Sequence, residues 1–446
     1  MFDTLAILLC LNNCLDMTTF NRLKTIVAAM LSMTGRVTML GISRWADEGG
    51  SYRTVQRFFN TPIAWANVHW CLIRHCFLDS DDTFLIAGDE TIVTKAGDTT
   101  YGLDRFFSSI FGKTVPGLSF FTFSLISTKR RTSYPLITQQ MIRSEEKTMS
   151  EDSISTEQSK KELNKYNKKR GRGRPKGSKS KNKEIIDLPP YLCFIQNNLK
   201  KVLQMIGSTI PIAYAVFDGA FGHNNALQMV RQCEIHIISK LQYNSALYFP
   251  YKGTYGGSGA KRKYGDKINY NNIPCRYLKN TTTEKSIRVD IYQMTMLHKL
   301  FGKKLNVVII VKTNLKTLAR RHVILFSSDL DLAYDKLIDY YRLRFQIEFN
   351  FRDAKQYWGL EDFMNVKETP VINAANLAFF MVNVSQAFID NVRQDNPVFG
   401  VQDLKAYFRG GKYVNETLKL LPQKPDRILI QQIFDKITKI GGISVG

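Results

Sequence analysis

The sequence predicts a mixed α/β protein in which a central sheet is flanked by helical regions at both ends of the chain. Three observations carry this. Apolar runs at Thr83–Gly88, Ile210–Phe217 and Ile235–Ser239 have the length of buried strands, and helical segments are interleaved with them. Residues 1–80 and those beyond 334 instead space their apolar side chains by three and four. Residues 240–330 are rich in Tyr, Thr, Ile and Val, broken by loops such as Gly253–Gly265, and read as a β-rich insertion.

Taken in order, residues 1–80 form a helical region. Leu23, Ile26, Val27, Met30 and Leu31 lie on one helix face, and Gly49-Gly50 stops the element before Ser51 caps the next. That next helix carries Arg53, Gln56 and Arg57. A glycine turn before a short basic helix resembles a helix-turn-helix DNA reader, and an ordinary surface helix fits equally well. Residues 81–143 and 185–240 supply the first parts of the sheet. A strand ends at Asp89; Leu118–Ser127 and Leu136–Ile142 are further strands, and residues 186–207 are helical. The strand Ile210–Phe217 ends at Asp218, a helix lies near Asn225–Cys233, and Ile235–Ser239 follows. The insertion spans 241–330, with Leu305–Lys312 and His322–Ser327 its clearest strands. A helix runs from Tyr334 through Trp358, within a segment 331–368. Residues 371–393 and 400–438 read as amphipathic helices of a C-terminal helical subdomain, 369–446.

The charge is the unusual bulk property. There are 62 Lys+Arg against 39 Asp+Glu, a formal net charge of +23 over 446 residues. Such an excess needs a polyanionic partner. Nucleic acid is favoured over a membrane, because no run reaches the ~18 apolar residues of a spanning helix. The apolar stretch Leu5–Leu11 follows Asp3 rather than a basic region, so it reads as a core helix of a cytoplasmic, nucleoid-associated protein. Residues 144–184 have almost no apolar side chains and cannot bury enough surface to fold. Between Lys160 and Lys183 the only acid is Glu162. Arg172, Gly173, Arg174 and Pro175 lie in an Arg-Gly-Arg-Gly-Arg-Pro run that resembles an AT-hook, in which arginines enter a narrow minor groove on a thin backbone. The seven cysteines make no CxxC pair. Cys10, Cys14, Cys71, His75 and Cys76 read as structural thiols in helical sequence rather than as a zinc site.

The chemistry concentrates on three carboxylates. At ~100° per residue, Tyr341, Arg344, Glu348 and Lys355 fall within about 60° of one another on one helix. A surface salt-bridge ladder explains part of this, since Arg344–Glu348 and Glu348–Arg352 are both i,i+4 pairs. A phosphodiester enzyme needs the same stripe: Glu348 to hold a divalent metal, with Arg344 and Lys355 on flanking phosphates. Asp89 and Asp218, each at a strand end, complete a hard-oxygen ligand set suited to Mg²⁺ or Mn²⁺.

The spacing Tyr341-x2-Arg344-x3-Glu348-x6-Lys355 matches the Tyr-Arg-Glu-Lys signature, and on it the chain resembles the insertion-sequence DDE transposases. Asp89-Glu90-Thr91 is similar to that family's Asp-Asp-Thr motif, with Glu90 replacing the second Asp. Asp218-Gly219-Ala220-Phe221 resembles its second motif. The resemblance covers roughly residues 83–360 and implies an RNase H-like catalytic core. Asp89, Asp218 and Glu348 would ligate magnesium, and Tyr341, Arg344 and Lys355 would contact transposon-end DNA. It further implies cut-and-paste chemistry on double-stranded DNA, both element ends and target, by a homodimer. Hairpin-forming relatives stack a Trp of the insertion on a flipped base. Here the four tryptophans, Trp45, Trp65, Trp70 and Trp358, lie elsewhere, leaving Tyr248, Tyr251 or Tyr255 for that task. The basic segment 144–184 is an addition to the family pattern.

Two other functions remain compatible: a catalytically silent DNA-binding protein derived from a transposase, and a simple metal-dependent nuclease. Gly112-Lys113-Thr114 lacks the earlier glycine of a P-loop, since position 107 is Phe107. His223, five residues past Asp218, reads as a loop histidine with a solvent or backbone partner.

Overall fold

The computed structural model describes residues 4–47, 49–108, 112–142, 186–255, 257, 259–423 and 425–443. Helices come first: α1 (Thr4–Leu8), α2 (Met17–Ser32), α3 (Met39–Trp45), α4 (Tyr52–Asn60) and α5 (Trp65–Cys76). Side-chain caps start several of them. Asp16 accepts from the Thr19 N–H at 3.0 Å, Thr38 from Gly41 at 3.0 Å and Ser51 from Thr54 at 3.3 Å. Four strands follow, β1 (Phe84–Thr94), β2 (Asp104–Ser108), β3 (Lys113–Ser127) and β4 (Thr132–Met141). Then come α6 (Pro190–Ile206), β5 (Ile212–Val216), α7 (Asn224–Arg231) and β6 (His236–Leu241).

The remaining strands are β7 (Leu247–Pro250), β8 (Tyr264–Lys267), β9 (Leu278–Glu284), β10 (Ile287–His298), β11 (Leu305–Asn314) and β12 (Arg320–Ser327). The chain closes with α8 (Tyr334–Leu343), α9 (Gln346–Gln356), α10 (Glu368–Arg393), α11 (Val401–Leu420) and α12 (Arg427–Ile437).

One mixed sheet runs through the molecule in the order β2-β3-β1-β5-β6-β12-β11-β10-β7-β8, with β4 also on β3 and β9 on β10. β3 pairs antiparallel with β1, and β5 and β6 continue parallel to β1. The strands of the insertion extend the same sheet, because β12 zips antiparallel onto β6 from Ile324↔Leu241 to Ser327↔Ile238. The two faces bury separate cores. Leu85, Ala87 and Val216 pack with α2, α4, α9 and α10 on one side; Phe84, Ile86 and Ala215 pack with α6 and α7 on the other.

Three expectations are corrected. β1 does not end at Asp89 but continues to Thr94, because Thr91 and Val93 alternate inward and β3 supplies partners as far as Thr94↔Gly117. The helix expected from Tyr334 to Trp358 is divided at Arg344–Phe345. There the N–H groups of Phe345, Ile347 and Glu348 bond three residues back at 3.1 Å, a tightened 3₁₀ turn between α8 and α9. Finally, α10 is buried all round rather than amphipathic, wedged among α4, α5, α9 and β4. It is long and apolar enough to cross a membrane by composition, yet 89% of its most apolar window is buried in the fold. Polar pins fit that position: Asn373 accepts from the Trp65 indole at 2.7 Å, and Asn383 donates to the Pro135 carbonyl at 2.7 Å.

Candidate active site

Register brings the first two carboxylates level. Ala87 of β1 pairs with Val216 of β5, so Asp89 and Asp218 each lie two residues beyond that pair on neighbouring parallel segments. Residues two apart on a strand share a face, so Asp89 faces the core that holds Leu85 and Ala87, under α9. Asp218 has left its strand and caps a short 3₁₀ turn, Gly219–Phe221. Its Oδ1 accepts the Ala220 N–H at 3.0 Å, and its carbonyl accepts the Ser239 hydroxyl at 2.6 Å.

The turn is held close to β6. A Cβ on Gly222 would stand 2.2 Å from the Lys240 carbonyl oxygen, which as backbone cannot rotate away. We expect Gly222→Ala to lower stability by about 1–3 kcal/mol through this overpacking, read as a lower urea midpoint. A midpoint equal to wild type would show that the turn relaxes freely.

Glu348 comes from α9, whose buried face is Ile347, Asn350, Phe351 and Ala354. Asn350 anchors the helix to the sheet, donating to Ser133 at 2.9 Å and Ser124 at 3.4 Å. The link between the carboxylates is Arg344, in the tight turn. Its Nη1 donates to Asp89 Oδ2 at 3.0 Å and its Nη2 to Glu348 Oε1 at 3.0 Å. The Arg344 side chain is only 13% exposed, and its Nε–H is buried without a partner.

Burial is the main reason that the Asp89 carboxyl is pushed up to about 6. The Glu90 N–H and Arg344 pull it back, while the charges of Asp218 and Glu348 push it further up, so all three acids share one field. Burial also raises the Tyr341 hydroxyl; Arg344 opposes this, and Asp218 and Glu348 add to it. Tyr341, Arg344, Asp89, Asp218 and Glu348 are therefore near enough to feel one another's charge, and Arg344 bonds two of the acids directly.

Other expected residues are placed differently. Lys355 donates to the Ile92 carbonyl at 2.7 Å and pairs with Glu361 at 3.1 Å, which ties α9 to the far half of β1. Arg352 pairs with Asp353 at 2.9 Å and covers the Phe349 ring, so the expected Glu348–Arg352 bridge is replaced. Glu90 points to the opposite sheet face, where it accepts from Ser119 and Tyr191. Alternation along β1 dictates this once the strand continues past Asp89. His223 caps α7, its Nδ1 accepting the Ala226 N–H at 3.2 Å. Cations cover Tyr248 and Tyr251, which lie under Lys299 and Arg262, while the Tyr255 hydroxyl donates to the Gly259 carbonyl. The AT-hook-like residues Arg172, Gly173, Arg174 and Pro175 lie outside the described residues.

One neighbour escaped the sequence reading. Lys240 reaches across from β6, its Nζ 3.8 Å from where a Gly219 Cβ would stand, and so adds a cation over the Asp218 turn. The only signal was its place one residue past an apolar strand. In the helical region, Arg53 and Arg57 are exposed on α4 while Val55, Phe58 and Phe59 anchor it. The cysteines are half-buried rather than buried, except for exposed Cys275, and burial pushes the Cys10 and Cys14 thiols up to about 11 and 12.

Among the described residues, no three His, Cys, Asp or Glu side chains are drawn closely enough together to enclose a metal ion. At Asp89 and Glu348 the guanidinium of Arg344 supplies the positive charge. The donor set itself fits a hard divalent cation: oxygen ligands only, one of them destabilised as an anion by burial and by two like charges.

Residues 10–296, more than half of the chain, match the family model described as DDE superfamily endonuclease. The matched span contains Asp89 and Asp218 and ends before Glu348. No curated protein matches the chain.

Proposed function

The chain belongs to the DDE superfamily endonuclease family, and on that premise we propose that it is a DNA transposase that cuts DNA at element ends and joins them to a target. The observation that carries the reading is Arg344, hydrogen-bonded at once to Asp89 and Glu348 while register sets Asp218 level with Asp89. Asp89 and Glu348, 259 residues apart in sequence, thus share one guanidinium, and the Tyr341-Arg344-Glu348-Lys355 spacing supports the same assignment.

Asp89, Asp218 and Glu348 would hold Mg²⁺, with Mn²⁺ able to replace it. When bound, such ions lower the pKa of an attacking hydroxyl and stabilise the leaving oxygen. Arg344 has two roles. It neutralises the acids in the free protein, and its buried Nε–H leaves bonding capacity for a phosphate when DNA enters. Tyr341 and Lys240 lie beside the same acids and would position the strand; Lys355 would do so on leaving Ile92 and Glu361. In the first step water attacks phosphorus and the P–O3′ bond breaks, leaving a 3′-hydroxyl on the element and a 5′-phosphate on the flank. In the second that hydroxyl attacks a target phosphate and displaces a target 3′-oxygen. A homodimer would hold the two ends together, and the basic segment 144–184 would tether DNA nearby.

The test is incubation of the protein with Mg²⁺ and the DNA that flanks its own gene, with new 3′-hydroxyl ends mapped on a sequencing gel. The expected result is cleavage at one boundary per end, abolished by EDTA. Binding without cleavage would overturn this in favour of the silent DNA-binding protein; scattered cuts that never join would favour a nuclease.

A further inference from the structure

A basic cleft lies at the opposite end of β6 from Lys240. It has a volume of about 550 Å³ and is lined by residues of α7, the β6 entry, the β7–β8 and β10–β11 loops and the segment just after β12. Its charged residues are Arg231, Lys263, Lys303, Lys304 and Glu234. Four cations to one acid is far steeper than the 62 to 39 of the whole chain. Among the described residues, no carboxylate pairs with Arg231, Lys303 or Lys304, while Glu234 sits at a strained φ of 63° at the mouth. A local excess of like charge is unfavourable in an isolated protein, and a bound polyanion relieves it.

The cleft is also built rather than incidental. Lys263 donates to the Gly302 carbonyl at 3.2 Å, and the Gly302 N–H donates to Asn224 at 3.3 Å, so the loop bearing Lys303 and Lys304 is tied to α7. Ser328 receives the Ile237 N–H at 3.1 Å and meets His236 Nδ1 at 3.2 Å, which fixes the floor. β5 and β6 run parallel, and Asp218 and Lys240 lie at their C-terminal ends. His236 lies four residues from Lys240, about 13 Å along a strand. The cleft therefore opens at the opposite end of these central strands from the carboxylates.

We propose that this cleft is a second DNA-backbone site, which grips phosphates of a duplex segment other than the one at Asp89, Asp218 and Glu348. The inference rests on the DNA-processing reading above. It assigns Arg231, Lys263, Lys303 and Lys304 to holding DNA at a distance from the chemistry, as wrapping one duplex around the domain or presenting a second would require.

The test uses the full chain and a duplex of about 40 base pairs, with binding followed by fluorescence anisotropy across a KCl titration. Each phosphate contact adds about 0.9 to the slope of log affinity against log salt. The double variant Lys303→Gln/Lys304→Gln, on an exposed loop, is expected to lose about 2 from that slope. Lys436→Gln/Lys439→Gln, two exposed lysines near the C-terminus, is expected to keep it. Equal slopes for Lys303→Gln/Lys304→Gln and wild type, or equal losses in both double variants, overturn the proposal. If wild type itself fails to bind duplex, the transposase reading falls instead, so the two failures are distinct.

Acetylation of wild-type lysines, read by mass spectrometry, needs no variant. Duplex is expected to protect Lys303 and Lys304, whereas dAMP at the same phosphate concentration is not. Equal protection by dAMP would make the cleft a small-anion site and overturn the DNA assignment.

Discussion

Glu348→Gln is expected to lower the rate of strand cleavage by about 10³-fold or more while DNA binding stays within a few-fold of wild type. The substitution keeps the size of the side chain and an oxygen that can accept from Arg344 Nη2, the bond now made at 3.0 Å. What it removes is the negative charge. A phosphodiester site of this kind depends on anionic oxygen to hold divalent cations, and an amide oxygen is a much weaker ligand. Glu348 is 42% exposed, so the fold should tolerate the change within about 0.5 kcal/mol. The measurement is single-turnover cleavage of end DNA with Mg²⁺, beside a binding titration of the same substrate. Cleavage within tenfold of wild type would remove Glu348 from the catalytic set, and lost binding would make it a DNA contact instead.

Asp89→Asn is expected to abolish the same activity and, in metal-free buffer at pH 7.5, to make the protein more stable. The Asp89 carboxyl is raised from its ordinary 3.8 to about 6, chiefly by burial. The folded state thus binds its proton more tightly than the unfolded chain does, so stability falls as pH rises through that window. At about 1.4 kcal/mol per pK unit the penalty has an upper bound of about 3 kcal/mol, fully present above pH 6 and gone below about pH 4. Arg344 loses a charged partner in the variant, which offsets part of it, so the net gain should be about 1–2 kcal/mol. Urea unfolding at pH 7.5 and pH 4.5 checks both sign and window: the advantage of Asp89→Asn should shrink at the lower pH. A variant less stable than wild type at pH 7.5 would mean that the bond to Arg344 outweighs burial.

Much of the candidate site was legible from local pattern. Apolar strands leading into Asp89 and Asp218 stand out because a buried strand is short, apolar and ended or interrupted by a charge. Tyr341, Arg344, Glu348 and Lys355 stand out because a helix repeats every 3.6 residues, so their spacing alone sets them on one side. The later correction there is small: the 3₁₀ turn at Arg344–Phe345 tightens the helix without breaking the Arg344–Glu348 pair. Lys240 was invisible because a lone lysine near the end of a strand has no distinctive spacing.

What the sequence determined by itself was the kind of element and the distribution of charge: alternating strands and helices, a strongly basic chain, and carboxylates set among cations. Periodicity and charge are local properties, readable without knowing what packs against what. What only the tertiary structure decided was who meets whom. The pairing of Ala87 with Val216 set Asp89 level with Asp218, and the passage of β1 through Asp89 turned Glu90 to the other face. The fold also buried α10 among helices and strands from three other parts of the chain, and carried Lys240 to the Asp218 turn while leaving the basic cleft at the other end of β6. Each of these is a choice of partner made across tens to hundreds of residues. Strand register and helix docking are selected by the fit of whole surfaces, which no local window of the chain contains.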